Sequence, residues 1–189
     1  MDRDNSFAGL IAPIKRRMFE TVWRVLRHSQ DAEDALQKAL TTAWQQRARI
    51  ERHPTPQALI LKICADAAID QFRQSRRGNE RVDVAPIAES LPSAQPLPVD
   101  DAIEHETLEI VMEAISRLSP NQATAVVMRF IQGESNATIA AALGCGTETV
   151  REHLDRGKER LRQMLGRLAP RGWNSASSIS TPLLQENDR

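Results

Sequence analysis

An acidic, proline-containing stretch in the middle of the chain constrains its fold most. From residue 78 to residue 106 the sequence has seven Asp or Glu against a single Arg, which is a net charge of −6. The same stretch contains Pro86, Pro92, Pro96 and Pro98. Proline removes backbone donors and like charges repel, so the pattern predicts an extended linker between two small domains. Composition alone does not distinguish a linker that docks from one that makes no contacts.

The flanking parts differ from the linker in charge, although the formal charge of the whole chain is zero. Residues 7–77 contain thirteen Lys or Arg against seven Asp or Glu, a net charge of +6. Residues 107–168 contain eight against seven, a net charge of +1. The charge therefore changes along the chain from basic to acidic to nearly neutral. This distribution predicts three segments with different partners.

The front domain, residues 7–77, is predicted to contain three helices. The first covers about 7–27 with a bend at Pro13, and the second covers about 31–49 with acids at its N-terminus. The third begins with Thr55 as N-cap and Pro56 at the first helical position. It ends in a compact basic cluster, "RQSRR", before Gly78.

The back domain, residues 107–168, is predicted to contain four helices. Apolar residues at intervals of three and four form the first helix, and Ser119 with Gln122 suggests a capping box at the start of the second. That helix ends at Gly133, and a short third helix follows Ser135 and ends at Gly144. The fold class is therefore all-α, with the two helical domains joined by the acidic linker.

The last two helices, separated only by "GCG", are typical of a helix-turn-helix. In that motif the start of the second helix lies in the major groove, and here it presents Thr147, Thr149, Arg151, Glu152, Arg156 and Lys158. Arg151 suits guanine, Glu152 suits cytosine N4, and Arg156 or Lys158 suits phosphate. The alternative is a solvated helix with intrahelical ion pairs, which the several acids on this helix favour.

Three longer segments carry a family resemblance. "DAEDALQKALTTAWQQ" (31–46) and "LKICADAAIDQFRQSRR" (61–77) resemble the second conserved region of bacterial RNA polymerase sigma factors of the extracytoplasmic-function group. Residues 114–162, from "AISRL" to "ERLR", resemble the fourth region of the same family. Both domains occur in the family's order, with an acidic linker between them.

The resemblance implies a factor that binds core RNA polymerase and directs transcription from promoters with minus-ten and minus-thirty-five elements. The implied polymerase-binding residues are Asp31, Glu33, Asp34, Gln37 and Lys38. The implied minus-ten contacts are the loop 49–57 and Lys62, Asp66, Asp70, Arg73, Arg76 and Arg77. The start of the last helix, as above, would read the minus-thirty-five element. Many family members are held by an anti-sigma factor, which the charge segregation permits without showing it.

Three departures from the family pattern bear on promoter choice. The segment "HPTPQALIL" has no aromatic residue where the family often has one. Asp66 stands where Asn is common, and Glu152 and Asp155 replace the usual Ser and His. We expect Glu152 and Asp155 to shift sequence preference and not to abolish DNA binding, and Asp66 to change base preference or to weaken phosphate contact.

Other classes of function are disfavoured. Cys64 and Cys145 are far apart and the four histidines are scattered, so neither a disulfide, a metal site nor a cofactor is predicted. No stretch resembles a membrane helix or signal peptide, so we expect a cytoplasmic protein that is not an enzyme and has no small-molecule substrate. The alternatives are a dimeric helix-turn-helix regulator that binds DNA alone and a sigma-like adaptor without DNA contact. Residues 169–189 are predicted to be a disordered tail, with docking of Trp173 and "PLL" left open.

Overall fold

A computed structural model describes residues 2–79 and 99–168, and within those ranges it contains helices and no strand. The helices are α1 (Asp2–Ile11), α2 (Lys15–Leu26), α3 (Ser29–Gln45), α4 (Arg47–Glu51), α5 (Pro56–Asn79), α6 (Val99–Ser116), α7 (Pro120–Val126), α8 (Asn136–Leu143) and α9 (Thr147–Leu168). The predictions for the central linker between 80 and 98 and for the tail from 169 lie outside the described residues.

The predicted first helix is interrupted at Pro13. A single 3-10 turn, Ala12–Ile14, separates α1 from α2, because proline cannot donate the backbone hydrogen bond of a continuous α-helix. Arg27 then ends α2 in the left-handed conformation with φ of 51°, and its N–H donates to the Trp23 carbonyl. This ending turns the chain sharply into α3.

Helix α3 packs against both α5 and α2, and its buried stripe consists of small side chains. Ala32, Ala35, Ala39 and Ala43 recur at intervals of three and four and are all buried. Alanine leaves little side-chain bulk between two helix backbones, so the axes can approach closely. The polar residues of α3 consequently face outward or lie at the edge of this contact.

Helix α6 begins inside the segment that the sequence pattern assigns to the linker. The helix begins at Val99, whereas the sequence pattern predicted extended chain up to residue 106.

The capping box predicted at Ser119 is absent. Ser119 is the N-cap residue of α7, but its side chain makes no capping hydrogen bond, and the buried Gln122 Oε1 has no hydrogen-bond partner. Pro120 at the first helical position removes one donor that a cap would otherwise satisfy. After α7, residues Val127–Ile131 form a π-helical turn before the left-handed Gly133.

The helix-turn-helix forms as predicted. Ser135 accepts a hydrogen bond from the Thr138 N–H at the start of α8, and Gly144 ends α8 with φ of 68°. α9 packs across α7 at Gly157, where an added Cβ would lie 3.1 Å from Val126 Cγ2. Glycine at that position allows the two helices to approach this closely.

Helix α5 joins the two halves of the molecule. It packs against α2 and α3 of the front half and against α6, α7 and α8 of the back half. The buried apolar residues of both halves form a single continuous cluster. The two helical units predicted from the sequence are thus packed against each other, with α5 between them.

Candidate nucleic-acid interface

The first predicted group, the polymerase-binding residues, lies on α3. Glu33, Asp34, Gln37 and Lys38 are exposed on this helix. Asp31 differs, because its carboxylate accepts hydrogen bonds from Gln71 Nε2 at 3.1 Å and Ser75 Oγ at 3.2 Å. Asp31 therefore ties α3 to α5, and Lys38 Nζ also donates to Gln71 and Gln74 of α5. Glu33, Asp34 and Gln37 form the open polar surface.

An aromatic residue extends the same helix surface. Trp44 is 42% exposed and lies seven residues, or about two turns, after Gln37. The Arg47 guanidinium lies 4.6 Å from its ring centroid, and the Phe7 ring meets it edge-on. Sequence reasoning omitted Trp44 from the candidate residues, although a tryptophan on the polar side of an amphipathic helix is a recognisable signal.

The second predicted group, the minus-ten residues, lies along α5, and part of it contacts the back half. Lys62 Nζ lies 2.6 Å from Asp66 Oδ2. The other oxygen of Asp66, Oδ1, accepts a hydrogen bond of 2.6 Å from the hydroxyl of the buried Thr124 in α7. This carboxylate is therefore held between a cation of its own helix and a donor from the back half.

The basic end of α5 is held in a similar way. Arg73 Nε donates to the Ser116 carbonyl at 2.9 Å, and its Nη2 donates to the Leu118 carbonyl at 3.1 Å. Arg76 lies 3.5 Å from Glu109 and 3.6 Å from Glu113. Asp70 and Arg77 are exposed. The structure therefore places all six residues on one helix but leaves only part of the group open.

The predicted loop between α3 and α5 also contacts the back half. Arg49 is exposed, whereas His53 Nε2 lies 3.1 Å from the Ala141 carbonyl of α8. His53 Nδ1 accepts from the Thr55 N–H at 3.1 Å, so the neutral ring carries its proton on Nε2 and donates it to Ala141. His53 and Thr124 are contacts that sequence reasoning missed, because each depends on a partner far along the chain.

A groove of about 490 Å³ runs between these elements. Cationic side chains from three helices or their connections, Lys38, Arg49 and Lys62, line it together with Asp66 and Asp70. Asn121, Ala142 and Leu143 of the back half close one side. Its cations can bind phosphate, and its carboxylates can accept hydrogen bonds from base amino groups.

The third predicted group, the start of α9, is open to solvent. Thr147, Thr149, Arg151, Glu152 and Arg156 are exposed. Arg151 pairs with Glu148 at 2.8 Å and Arg156 with Glu152 at 3.2 Å. Lys158 is half-buried, with its Nζ 5.7 Å from the Phe130 ring centroid. The start of this helix therefore has both exposed polar side chains and the intrahelical ion pairs that the sequence suggested.

Of the two cysteines, only Cys64 is fully buried. Burial raises the pKa of this thiol to about 12, with a smaller contribution from the negative charge of Asp66. Within the described residues no three His, Cys, Asp or Glu side chains are grouped as metal ligands. None of the helices in the same residues is long and apolar enough to cross a membrane.

Both halves of the chain match models of known protein families. Residues 10–78 match the family model for sigma-70 region 2, and residues 108–161 match that for sigma-70 region 4. The chain is 31% identical to the ECF RNA polymerase sigma factor SigM of Mycobacterium tuberculosis over 142 residues, which are 75% of this chain and 68% of SigM. It is 30% identical over 167 residues to the RNA polymerase sigma factor CarQ of Myxococcus xanthus, covering 87% of this chain and 91% of CarQ. The chain belongs to the ECF sigma factors of the sigma-70 family.

As an ECF sigma factor, it directs transcription initiation by RNA polymerase at promoter DNA. The sigma-E factor of Streptomyces coelicolor is a further relative, 31% identical over 75% of this chain and 76% of that protein. A solved complex of the sigma factor RpoE with the anti-sigma factor NepR from Bartonella quintana aligns with 82% of this chain and 94% of RpoE, at 22% identity and a TM-score of 0.48.

Proposed function

We propose that this sigma factor uses three separate surfaces in initiation: α3 for core polymerase, α5 and its preceding loop for minus-ten DNA, and the start of α9 for minus-thirty-five DNA. Residues 7–77 and 107–168 are the corresponding units. The factor acts in the cytoplasm, where the polymerase and promoter are, and performs no bond-making chemistry itself. The observation that carries the proposal is the exposed polar face of α3, opposite its buried alanine stripe.

The α3 surface suits a protein partner. Glu33, Asp34 and Gln37 offer acceptors that are not committed to a partner in the other half, and Trp44 adds a partly exposed aromatic ring. Aromatic residues and desolvated polar groups commonly provide much of the energy of a protein interface. We therefore include Trp44 in the polymerase-binding surface with Asp34 and Gln37.

The test of this surface is run-off transcription with bacterial core polymerase on a library of promoter fragments. We expect start sites that require the sigma factor and share two spaced motifs. The double variant Asp34→Ala/Gln37→Ala should lose these transcripts together with affinity for core. A matched pair elsewhere on the helix surfaces, the half-buried Glu20 with the exposed Gln163 (Glu20→Ala/Gln163→Ala), should retain both. Equal loss in both pairs, or no loss in the first, would reject the α3 assignment.

The α9 surface suits duplex DNA. Arg151 can exchange its partner Glu148 for the O6 and N7 acceptors of guanine, and a bidentate contact of this kind provides about 1–3 kcal/mol of base discrimination. Glu152 can accept from cytosine N4, although it must first release Arg156. Selection from templates randomised in the minus-thirty-five element should therefore give a different preferred sequence for Glu152→Ser. The exposed cation variant Arg160→Ala should leave the preferred sequence unchanged.

The two alternative functions make different predictions in the same experiments. A stand-alone regulator would bind its duplex as a dimer and would not need core polymerase. An adaptor would bind core without any dependence on promoter sequence. Family membership favours the sigma function. Both alternatives are rejected if sequence-specific start sites require this protein and core polymerase together.

A further inference from the structure

Two of the five residues that the resemblance assigns to polymerase contact the last turns of α5. Asp31 Oδ1 accepts from Gln71 Nε2 at 3.1 Å, and Asp31 Oδ2 accepts from Ser75 Oγ at 3.2 Å. Lys38 Nζ donates to Gln71 Oε1 at 3.4 Å and to Gln74 Oε1 at 3.2 Å. Asp31 and Lys38 lie about two turns apart on one face of α3, so they hold α5 at two points.

These polar contacts matter because the end of α5 has little apolar packing. Phe72 is the last buried residue of the helix among those up to residue 77, where the description of side-chain burial ends. The residues that follow are half-buried or exposed. A helical segment without a buried apolar face is held in place mainly by the polar contacts that it makes.

The cations of this segment lie on the side of α5 that faces away from α3. Successive residues of an α-helix are about 100° apart around its axis, which decides the residues that share a face. The α3-facing side carries the residues that Asp31 and Lys38 contact, namely Gln71, Gln74 and Ser75. The opposite side carries the cations assigned to minus-ten DNA, namely Arg73, Arg76 and Arg77. A rotation of α5 at its contacts with α3 would therefore move all three cations together.

Asp31 differs from its neighbour Asp34 in how firmly it is held. The Asp31 N–H donates to Nδ1 of His28, the N-cap residue of α3, at 3.4 Å. Its carboxylate accepts the two hydrogen bonds from α5, and such bonds to a charged acceptor are stronger than neutral ones. The exposed Asp34 accepts only from Gln30 of its own helix, at 3.5 Å. The two acids of α3 are therefore in different environments although both fit the same family pattern.

We propose that Asp31 and Lys38 are positioning residues, which fix the basic end of α5 against α3 so that its arginines meet minus-ten DNA in one orientation. The proposal rests on the assignments of α3 to core polymerase and of α5 to minus-ten DNA made above. Core polymerase then binds the exposed residues Glu33, Asp34 and Gln37. Asp31 and Lys38 act instead on the promoter step, through the polar side of α5.

The test measures binding to polymerase and use of the promoter separately. Titration of the labelled full-length sigma factor with core polymerase alone gives the affinity for core. Run-off transcription at saturating core, measured against the concentration of a promoter fragment recovered from the library above, gives the half-saturating promoter concentration. Asp31→Ala removes both contacts to α5. Asp31→Asn keeps them, because the amide oxygen accepts from Gln71 and the amide nitrogen can donate to the Ser75 hydroxyl.

We expect Asp31→Ala to raise the half-saturating promoter concentration about tenfold, because two hydrogen bonds to a charged group are lost. The affinity for core should stay within about twofold, and Asp31→Asn should resemble the unaltered protein in both measurements. Lys38→Met should also leave the affinity for core unchanged. The matched comparator Asp34→Ala should show the reverse pattern, with weaker binding to core and an unchanged promoter step.

The α5 side of the contact provides a second route to the same result. Gln71→Leu/Ser75→Ala should reproduce the promoter defect of Asp31→Ala and should add nothing to it when the changes are combined. This pair decides the question if circular dichroism shows that Asp31→Ala does not fold. A promoter step that neither variant alters would overturn the proposal. Loss of core affinity in both Asp31→Ala and Asp31→Asn would overturn it too, because the charge would then be a polymerase contact.

Failure of the underlying assignments gives different results. Unchanged core affinity in Asp34→Ala would reject α3 as the polymerase surface. An unchanged promoter step in Arg77→Ala, which removes an exposed cation of α5, would reject α5 as the minus-ten surface and the positioning role with it. Failure of the positioning role alone leaves both of these controls impaired as expected.

Discussion

Cys64 and Cys145 are the same residue type in different surroundings. Cys64 is fully buried in α5, whereas Cys145 is half-buried in the turn before α9. Burial raises the pKa of Cys64 to about 12, and the thiolate is the form that reacts with alkylating agents. We predict that at pH 8 a maleimide modifies only Cys145 in the folded protein and modifies both thiols in denaturant. Rapid labelling of Cys64 in the native state, located by peptide mass spectrometry, would contradict its burial.

The same pKa shift predicts a dependence of stability on pH. In the folded protein the pKa of Cys64 is raised to about 12, whereas the ordinary pKa of a cysteine thiol is 9.0. Above pH 9 the unfolded chain therefore loses a proton that the folded chain keeps, and the free energy of unfolding falls as pH rises toward 12. Urea unfolding should show a shallower decline in that range for Cys64→Ala than for the unaltered chain. Parallel declines would indicate that other groups account for the loss.

Residue identity predicted the helix on which each polar side chain lies better than it predicted the groups that the side chain contacts. The polar residues of α5 and α9 follow from helical spacing and charge, which are local properties. The contact of Asp66 with Thr124 joins residues 58 positions apart, and that of His53 with Ala141 joins residues 88 apart. No spacing rule in a single sequence specifies such pairs. The division of α5 between open and engaged residues was for this reason not predictable.

Two serines that precede helices allow a direct test of capping. Ser135 accepts from the Thr138 N–H at 3.1 Å, whereas Ser119 makes no side-chain capping bond. Ser135→Ala should therefore lower the free energy of unfolding by about 1 kcal/mol, and Ser119→Ala should change it much less. Urea denaturation followed by circular dichroism measures both. Equal losses would mean that Ser119 also caps its helix in solution.

Two glycines of α9 provide a test of helix packing. A Cβ at Gly157 would lie 3.1 Å from Val126 Cγ2, whereas one at Gly166 would have no neighbour within 4 Å. Gly157→Leu should destabilise the protein by about 1–3 kcal/mol, because the larger side chain displaces α7. Gly166→Leu should be neutral or slightly stabilising, because leucine favours a helix more than glycine does. A loss at Gly166 as large as that at Gly157 would refute the packing argument.

Helix locations were largely predictable from the sequence, while some helix ends were not. Pro13, Ser135 and Gly144 mark changes of backbone conformation by their own chemistry, and each prediction at these residues is confirmed. Helix α6 begins at Val99, whereas the back domain was predicted from residue 107. The capping box at Ser119 was wrong because Pro120 changes which donors need a partner.

At the scale of the whole molecule, the central position of α5 predicts cooperative unfolding. This helix packs against elements of both halves, and the buried apolar residues form one cluster. Loss of either half would expose apolar surface of α5 to water, which is unfavourable. We predict a single calorimetric transition with coincident loss of the near-ultraviolet and far-ultraviolet signals. Two separated transitions would show that the halves are thermodynamically independent.

For the proposed contact of α9 with DNA, the intrahelical ion pairs of this helix have a consequence for the time that the protein spends on non-promoter DNA. Arg151 and Arg156 each carry a carboxylate one turn away, so binding a phosphate means giving up a partner already in place. Random duplex therefore offers these arginines little net gain, whereas a matching base edge offers a bidentate replacement. Since a genome contains vastly more random sites than promoters, short residence on each random site shortens the search. The acidic residues that weaken nonspecific DNA binding would therefore speed the search for the promoter.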